Sequence, residues 1–67
     1  MNFNEFINQL RIEYAQTLLI SDPEKSVLDI AHESGFNSKS AFYRHFTAMT
    51  ATTPAQFRNK NAEREPS

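Results

Sequence analysis

Phe6, Leu10, Tyr14 and Leu18 recur every four residues in the first third of the chain, flanked by Phe3, Ile7, Ala15 and Leu19. Asn8, Gln9, Glu13 and Gln16 fall outside this band. A wide apolar stripe at helical period predicts an amphipathic helix, and the stripe is expected to be its core face. The helix should start after Asn2 or Asn4 as N-cap and run to about Ile20. Ser21-Asp22-Pro23 ends it, because proline disfavours a helical residue before it.

The pattern then shortens. Ser26 caps a second helix, with Asp29 at the third position as a weak capping box. Val27, Ile30, Ala31 and Ser34 form its inner face by the i, i+3, i+4, i+7 rule. Gly35, the only glycine, stands where a helix end wants a left-handed residue, and Phe36 follows where such a cap folds the chain back over Ala31. Asn37 or Ser38 caps a third helix, running to about Ala48. Phe42, Phe46 and Met49 are expected to stack on its inner side, with Ser40, Tyr43, Arg44 and Thr47 opposite and Lys39 at the entering turn. Thr53-Pro54-Ala55-Gln56 starts a fourth helix with a Thr cap, a Pro at the first helical position and a Gln three residues on. Phe57 anchors it, and the polar stretch from Asn59 to Ser67 is expected to fray. The fold class is all-α, with residues 1–60 as the domain and 61–67 as a flexible polar tail. Two short helices about a glycine turn, the second with an apolar stripe and a polar opposite face, follow the plan of a helix-turn-helix.

Composition narrows the function classes. Sixty-seven residues make one small domain, and the absence of cysteine excludes disulfides and thiolate zinc ligands. The apolar runs are far too short to span a membrane, and MNFNEFINQL lacks the basic start and apolar centre of a signal peptide. A cytoplasmic protein is the default. Net charge is only −1, but it is unevenly placed. Residues 1–34 hold two cations against six carboxylates, a net −4, while residues 35–67 hold five cations against two, a net +3. An anionic partner would therefore meet the second half. Five cations are few, so phosphate attraction should be modest and strongly salt-dependent.

No reactive constellation is visible. His32 and His45 have no companions at metal-ligand spacing, and His45 flanks the Phe42/Phe46 stripe as a partly buried packing residue. The serines have no nucleophile context, and one glycine cannot make a phosphate loop. Neither an enzyme nor a cofactor is expected, nor a membrane or small-molecule site. The polar face of the third helix offers other chemistry. Arg44 could lie on a guanine edge or clamp a phosphate. Lys39 and Ser40 sit at the helix end that such motifs push into the major groove, or they serve only capping and solvation. Tyr43 faces a thymine methyl or a sugar, or covers its own helix. Asn37 and Ser38 are caps first, with a phosphate contact open to the free N–H groups of that helix end.

Together LRIEYAQTLLI, SVLDIAHESGFNSKSAFYRHF and TPAQFR resemble the C-terminal part of the DNA-binding domain of AraC/XylS-type transcription regulators. The pairs Leu10-Arg11, Ile30-Ala31, Gly35-Phe36, Phe42 with Phe46, and Pro54 with Phe57-Arg58 carry the likeness. In that family two helix-turn-helix units are joined by a linker helix. Residues 4–20 resemble the linker, and 26–58 the second unit with its closing helix, half of a two-unit homeodomain-like reader. The first unit has no counterpart in these 67 residues. Thr47 stands where the family usually has a basic residue, Ala51 where it prefers glycine, and Phe57 where it has tyrosine. A left-handed Ala51 would cost about 1 kcal/mol relative to glycine. Arg58 matches the family's terminal arginine, as a structural residue near a helix end or a phosphate contact. Arg11 is expected to pair with a nearby carboxylate.

The resemblance implies a DNA-binding transcription factor whose partner is double-stranded DNA, with a homodimer or a regulator partner left open. The alternative is a protein-interaction module that dimerises with or modulates another regulator, resting on the apolar face of the first helix.

Overall fold

The computed structural model describes residues 2–63, with side chains as far as Asn61. Four helices follow one another: α1 (Phe3–Ser21), α2 (Val27–Glu33), α3 (Lys39–Thr50) and α4 (Pro54–Glu63). No strand occurs among the described residues.

Local chemistry accounts for each boundary. Asn2 caps α1, its Oδ1 accepting from the Glu5 N–H at 2.8 Å. The helix closes at Asp22, whose N–H donates to the Leu18 carbonyl at 2.9 Å before Pro23 turns the chain away. Ser26 caps α2 by accepting from the Asp29 N–H at 3.0 Å. Only this half of the expected box is present. Ser38, not Asn37, caps α3 through the Ala41 N–H at 3.1 Å. At α4 the box is reciprocal: the Gln56 N–H donates to Thr53 Oγ1 at 3.1 Å, and the Thr53 N–H donates to Gln56 Oε1 at 3.2 Å. This helix continues three residues past Lys60, to Glu63. The expectation for residues 64–67 lies outside the described residues.

Two left-handed residues make the sharp stops. Gly35 has φ 99° and ends α2; Ala51 has φ 61°, ψ 22° and ends α3. Ala51 donates its N–H to the Thr47 carbonyl at 2.8 Å, the single bond of an αL cap.

The core joins all four helices. Ile12, Ala15 and Leu19 of α1 are fully buried with Ile30 and Ala31 of α2, Phe42 and Phe46 of α3, and Pro54 at the start of α4. Phe36, from the α2–α3 turn, is buried with them. An aromatic run crosses the core: Phe36 to Phe42 at 5.4 Å, Phe42 to Phe46 at 5.6 Å, Phe46 to Phe57 at 5.6 Å between ring centroids. These tilted and edge-on pairs add to the gain from burial.

The core face of α1 is not the stripe its four-residue spacing suggests. Phe3 is 76%, Phe6 49%, Leu10 45% and Tyr14 50% exposed; the buried face is Ile12 together with Ala15 and Leu19, the two flanking members of the expected band that do turn inward. Residues four apart drift by about 40° per step on a helix of 3.6 residues per turn, so the stripe winds off the face that α2–α4 can cover. Leu18 alone of its four members packs against the core. Met49 is likewise displaced from the expected inner face of α3, with 45% exposure.

Candidate nucleic-acid interface

The α2–α3 junction is a turn with both of its backbone bonds made. The Phe36 N–H donates to the Ala31 carbonyl and the Gly35 N–H to that of His32, each at 3.0 Å. This is the 6→1 and 5→2 pattern of a Schellman cap, which satisfies the end of α2 and needs the left-handed residue glycine supplies. Space adds a second reason for glycine. A Cβ at position 35 would stand 3.0 Å from Arg11 Nε and 3.3 Å from its Cδ. Arg11 thus lies across the turn from α1. The ion pair expected for it does not form among the described residues, where both ion pairs belong to Lys25.

Beyond the turn, Phe42 and Phe46 lock the inner side of α3 and fix what its other side presents. Ser40, Arg44 and Thr47 are exposed together on the outer face. Arg44 makes no hydrogen bond or ion pair among the described residues. Ala48, one turn beyond Arg44, is exposed on the same face. Its i, i+4 spacing from Arg44 is the signal that identifies it. Asn37 and Ser38 are exposed at the entering end, where the Ser38 hydroxyl is occupied as cap.

Lys39 and Tyr43 form one unit at the flank. The Lys39 ammonium stands 5.5 Å from the centroid of the Tyr43 ring, a cation–π arrangement. Tyr43 is half-buried, its ring edge-on to Phe42 at 6.1 Å. It packs against the core and is less outward than the helical wheel suggests. His45 takes the packing place expected of it, 5.7 Å from the Phe36 ring.

Arg58 lies away from this face. Its Nε donates to the Leu19 carbonyl at 3.1 Å, and its Nη2 to the carbonyls of Asp22 at 3.3 Å and Lys25 at 2.8 Å. Three backbone acceptors at the end of α1 and the loop after it thus occupy the guanidinium. Of the two roles open to Arg58, the structural one is filled. Lys25 binds the same loop, pairing with Asp22 at 3.7 Å and hydrogen-bonding to Glu33. Its ammonium is held above the ordinary lysine range first by the Glu33 hydrogen bond, against a desolvation that opposes it.

Among the described residues no helix is long and apolar enough to cross a membrane, and no three His, Asp or Glu side chains gather to hold a metal ion. The arrangement presents a rigid helix with one outward guanidinium and small polar neighbours. Its chemistry is that of hydrogen-bonded recognition.

Residues 1–60 match the family described as a helix-turn-helix domain. The melibiose operon regulatory protein of Escherichia coli (strain K12) is 38% identical over 64 residues, covering 96% of this chain. An uncharacterized HTH-type transcriptional regulator of Staphylococcus aureus (strain COL) is 38% identical over 58 residues, 87% of this chain. The chain spans 21% of the length of the first relative and 8% of the second. No solved structure matches it. With the family matched across almost the whole chain, and the capped Gly35-Phe36 turn and the Phe42/Phe46 helix in place, the chain belongs to the helix-turn-helix domain family in its AraC/XylS-type form, a family of DNA-binding transcription regulators.

Proposed function

We propose that the chain regulates transcription by laying the outer face of α3 in a major groove of double-stranded DNA, with Arg44 bidentate on a guanine edge. The observation that carries this reading is the exposed side chain of Arg44, without a partner among the described residues, on a helix whose opposite face is fixed by Phe42 and Phe46. A bidentate pair to guanine O6 and N7 matches the arginine fork. Ser40, Thr47 and Ala48 border Arg44 and are small enough to let the helix approach the bases. Lys39, with Asn37 and Ser38 at the N-terminal end of α3, supplies phosphate contacts that set register. Tyr43 holds Lys39 in place and reaches the groove wall only with its outer edge. Arg58 is left out of the contact set, because its donors serve backbone carbonyls.

Few cations face the DNA, so attraction to phosphate is weak. One such unit is expected to bind with affinity on the order of 10⁻⁴ to 10⁻⁶ M at physiological salt. The chain acts as a binding module, not an enzyme, and works in the cytoplasm where its DNA target lies. Its partners are DNA and, through α1, protein.

Fluorescence anisotropy on duplexes selected from a random pool tests this assignment. Arg44→Ala should weaken binding by roughly tenfold or more and relax preference at one base pair, the mark of a lost base contact worth about 1–3 kcal/mol. Equal loss on every sequence, with the salt slope reduced by about one, would move Arg44 to a phosphate. Binding indistinguishable from the original chain would refute the assignment of α3 as the reading helix.

A further inference from the structure

Two arginines rest against backbone in this domain, and only one of them is occupied. Among the described residues the arginine hydrogen bonds belong to Arg58, and the ion pairs to Lys25. Arg11 has neither, although its place is fixed. It leaves α1 beside the buried Ile12 and crosses the α2–α3 turn. The space a Cβ on Gly35 would take is bounded by Arg11 Nε at 3.0 Å, Cδ at 3.3 Å and Cζ at 3.5 Å. The bare backbone of Gly35 is thus the bed on which the side chain lies. Arg11 is exposed, so its five N–H donors remain open to an outside acceptor.

We infer that Arg11 is a phosphate contact, delivered from α1 to the DNA backbone beside the entering end of α3. The contact rests on the reading of α3 proposed above, and adds to it a residue from outside the helix-turn-helix. Gly35 precedes the Ser38 cap by three residues, so their Cα atoms stand no more than about 11 Å apart. The N-terminal end of a reading helix is the end that meets the bases. A major groove about 12 Å wide has a phosphate strand along each side. A helix entering it by that end brings a guanidinium on the preceding turn to the groove wall.

The two flanks of α3 fit such a groove. Lys39 lies with Tyr43 on one flank, and on the other Phe36, next to Gly35, packs against His45. Arg11 on the turn and Lys39 on the helix therefore supply a cation to each side of the face that Arg44 presents. Charge placement points the same way. Residues 1–34 hold only two cationic side chains against six carboxylates, and Lys25 is committed to Asp22 and Glu33. The remaining cation of that acidic half stands at the turn. An arginine there keeps its charge at any working pH and matches phosphate oxygens with its planar fork.

Titrations of a selected duplex and of an unrelated one, at several salt concentrations, test the contact. Arg11→Gln should weaken binding about threefold to tenfold near 0.1 M salt, equally on both duplexes, and reduce the salt slope by about one. Arg11→Lys keeps the charge and should keep the slope. Replacing single phosphates with neutral methylphosphonates should reveal one whose loss weakens the original chain but leaves Arg11→Gln unaffected. The urea midpoint of Arg11→Gln should match that of the original chain, since Arg11 makes no bond within the described domain. Arg44→Ala separates this contact from the reading beneath it, because its loss falls on one base pair. An unchanged slope in Arg11→Gln, with binding still lost in Arg44→Ala, would overturn the phosphate contact alone. So would a loss shared by Arg11→Lys with the slope kept and the urea midpoint lowered, the pattern of a mere brace for the turn. Binding unaltered in both Arg11→Gln and Arg44→Ala would remove α3 as the reading helix, and the Arg11 contact with it.

Discussion

Arg58 donates through Nη2 to the carbonyl of Lys25 at 2.8 Å, joining positions 33 residues apart. The same guanidinium binds the carbonyls of Leu19 and Asp22. It ties α4 to the C-terminal end of α1, where a helix leaves carbonyls unpaired and its dipole favours a cation. The loop from Asp22 to Ser26 sets the course of α2, and so of the turn before the reading helix. Arg58 thus braces the segment that leads into α2.

Arg58→Ala should destabilise the domain by about 2 kcal/mol, the scale of losing charge-assisted bonds to partly buried acceptors. Arg58→Lys should recover only a fraction, because one ammonium cannot span three carbonyls as the planar fork does. Urea unfolding followed by circular dichroism measures both. DNA binding by the folded protein should keep its salt slope.

Ala51→Gly should stabilise the chain by about 0.5–1 kcal/mol. Ala51 is held at φ 61°, a conformation that costs an L-residue with a Cβ and that glycine adopts freely. In a domain of this size the thermal midpoint should rise by roughly 2–8 °C. An unchanged midpoint would show that the left-handed cap carries no strain.

Lys25 gives the stability a pH dependence at the alkaline end. Its folded pKa lies above the ordinary 10.5, chiefly through the hydrogen bond to Glu33. A cation with a raised folded pKa stabilises fully below the unfolded value and loses that contribution as pH rises through the folded one. The stability difference between the original chain and Lys25→Met should therefore be constant from neutral pH to about 10, and shrink above it. Thermal melts of the two proteins across pH 8–12 provide the comparison.

Thr47→Lys should raise DNA affinity about threefold to tenfold near 0.1 M salt and steepen the salt slope by roughly one. Thr47 is exposed on the same face as Arg44, so a longer cationic side chain there can reach a phosphate without moving the core. Titrations at several salt concentrations read both effects. Nanomolar affinity of the unmodified monomer would contradict the weak-binding expectation itself.

What could be read from the sequence was local. Ser26, Ser38, Thr53 with Gln56, and Gly35 act within three or four residues, so their caps and turn were recognisable by spacing alone. The left-handed Ala51 was implied only by the family resemblance, which puts glycine there. The core face of α1 was not recognisable, because apolar residues surround much of the helix and only the placement of α2–α4 decides which are covered. Ile12, outside the four-residue stripe, is buried for that reason, while Leu10 and Tyr14, inside it, stay half-exposed. The contacts of Arg58 and the position of Arg11 over Gly35 join distant segments through backbone atoms, which no residue pattern encodes. On α3 the wheel placed Arg44 correctly but set Tyr43 too far outward, since it takes no account of the edge contact with Phe42.

The two tyrosines stand on opposite business of the molecule, one on the outer face of α1 and one between Lys39 and Phe42. The chain contains no tryptophan, so ultraviolet emission excited at wavelengths phenylalanine does not absorb comes from these two rings alone. With Tyr43→Phe the remaining signal reports on α1, and with Tyr14→Phe it reports on the reading helix. The protein therefore carries two built-in optical gauges that need no attached dye.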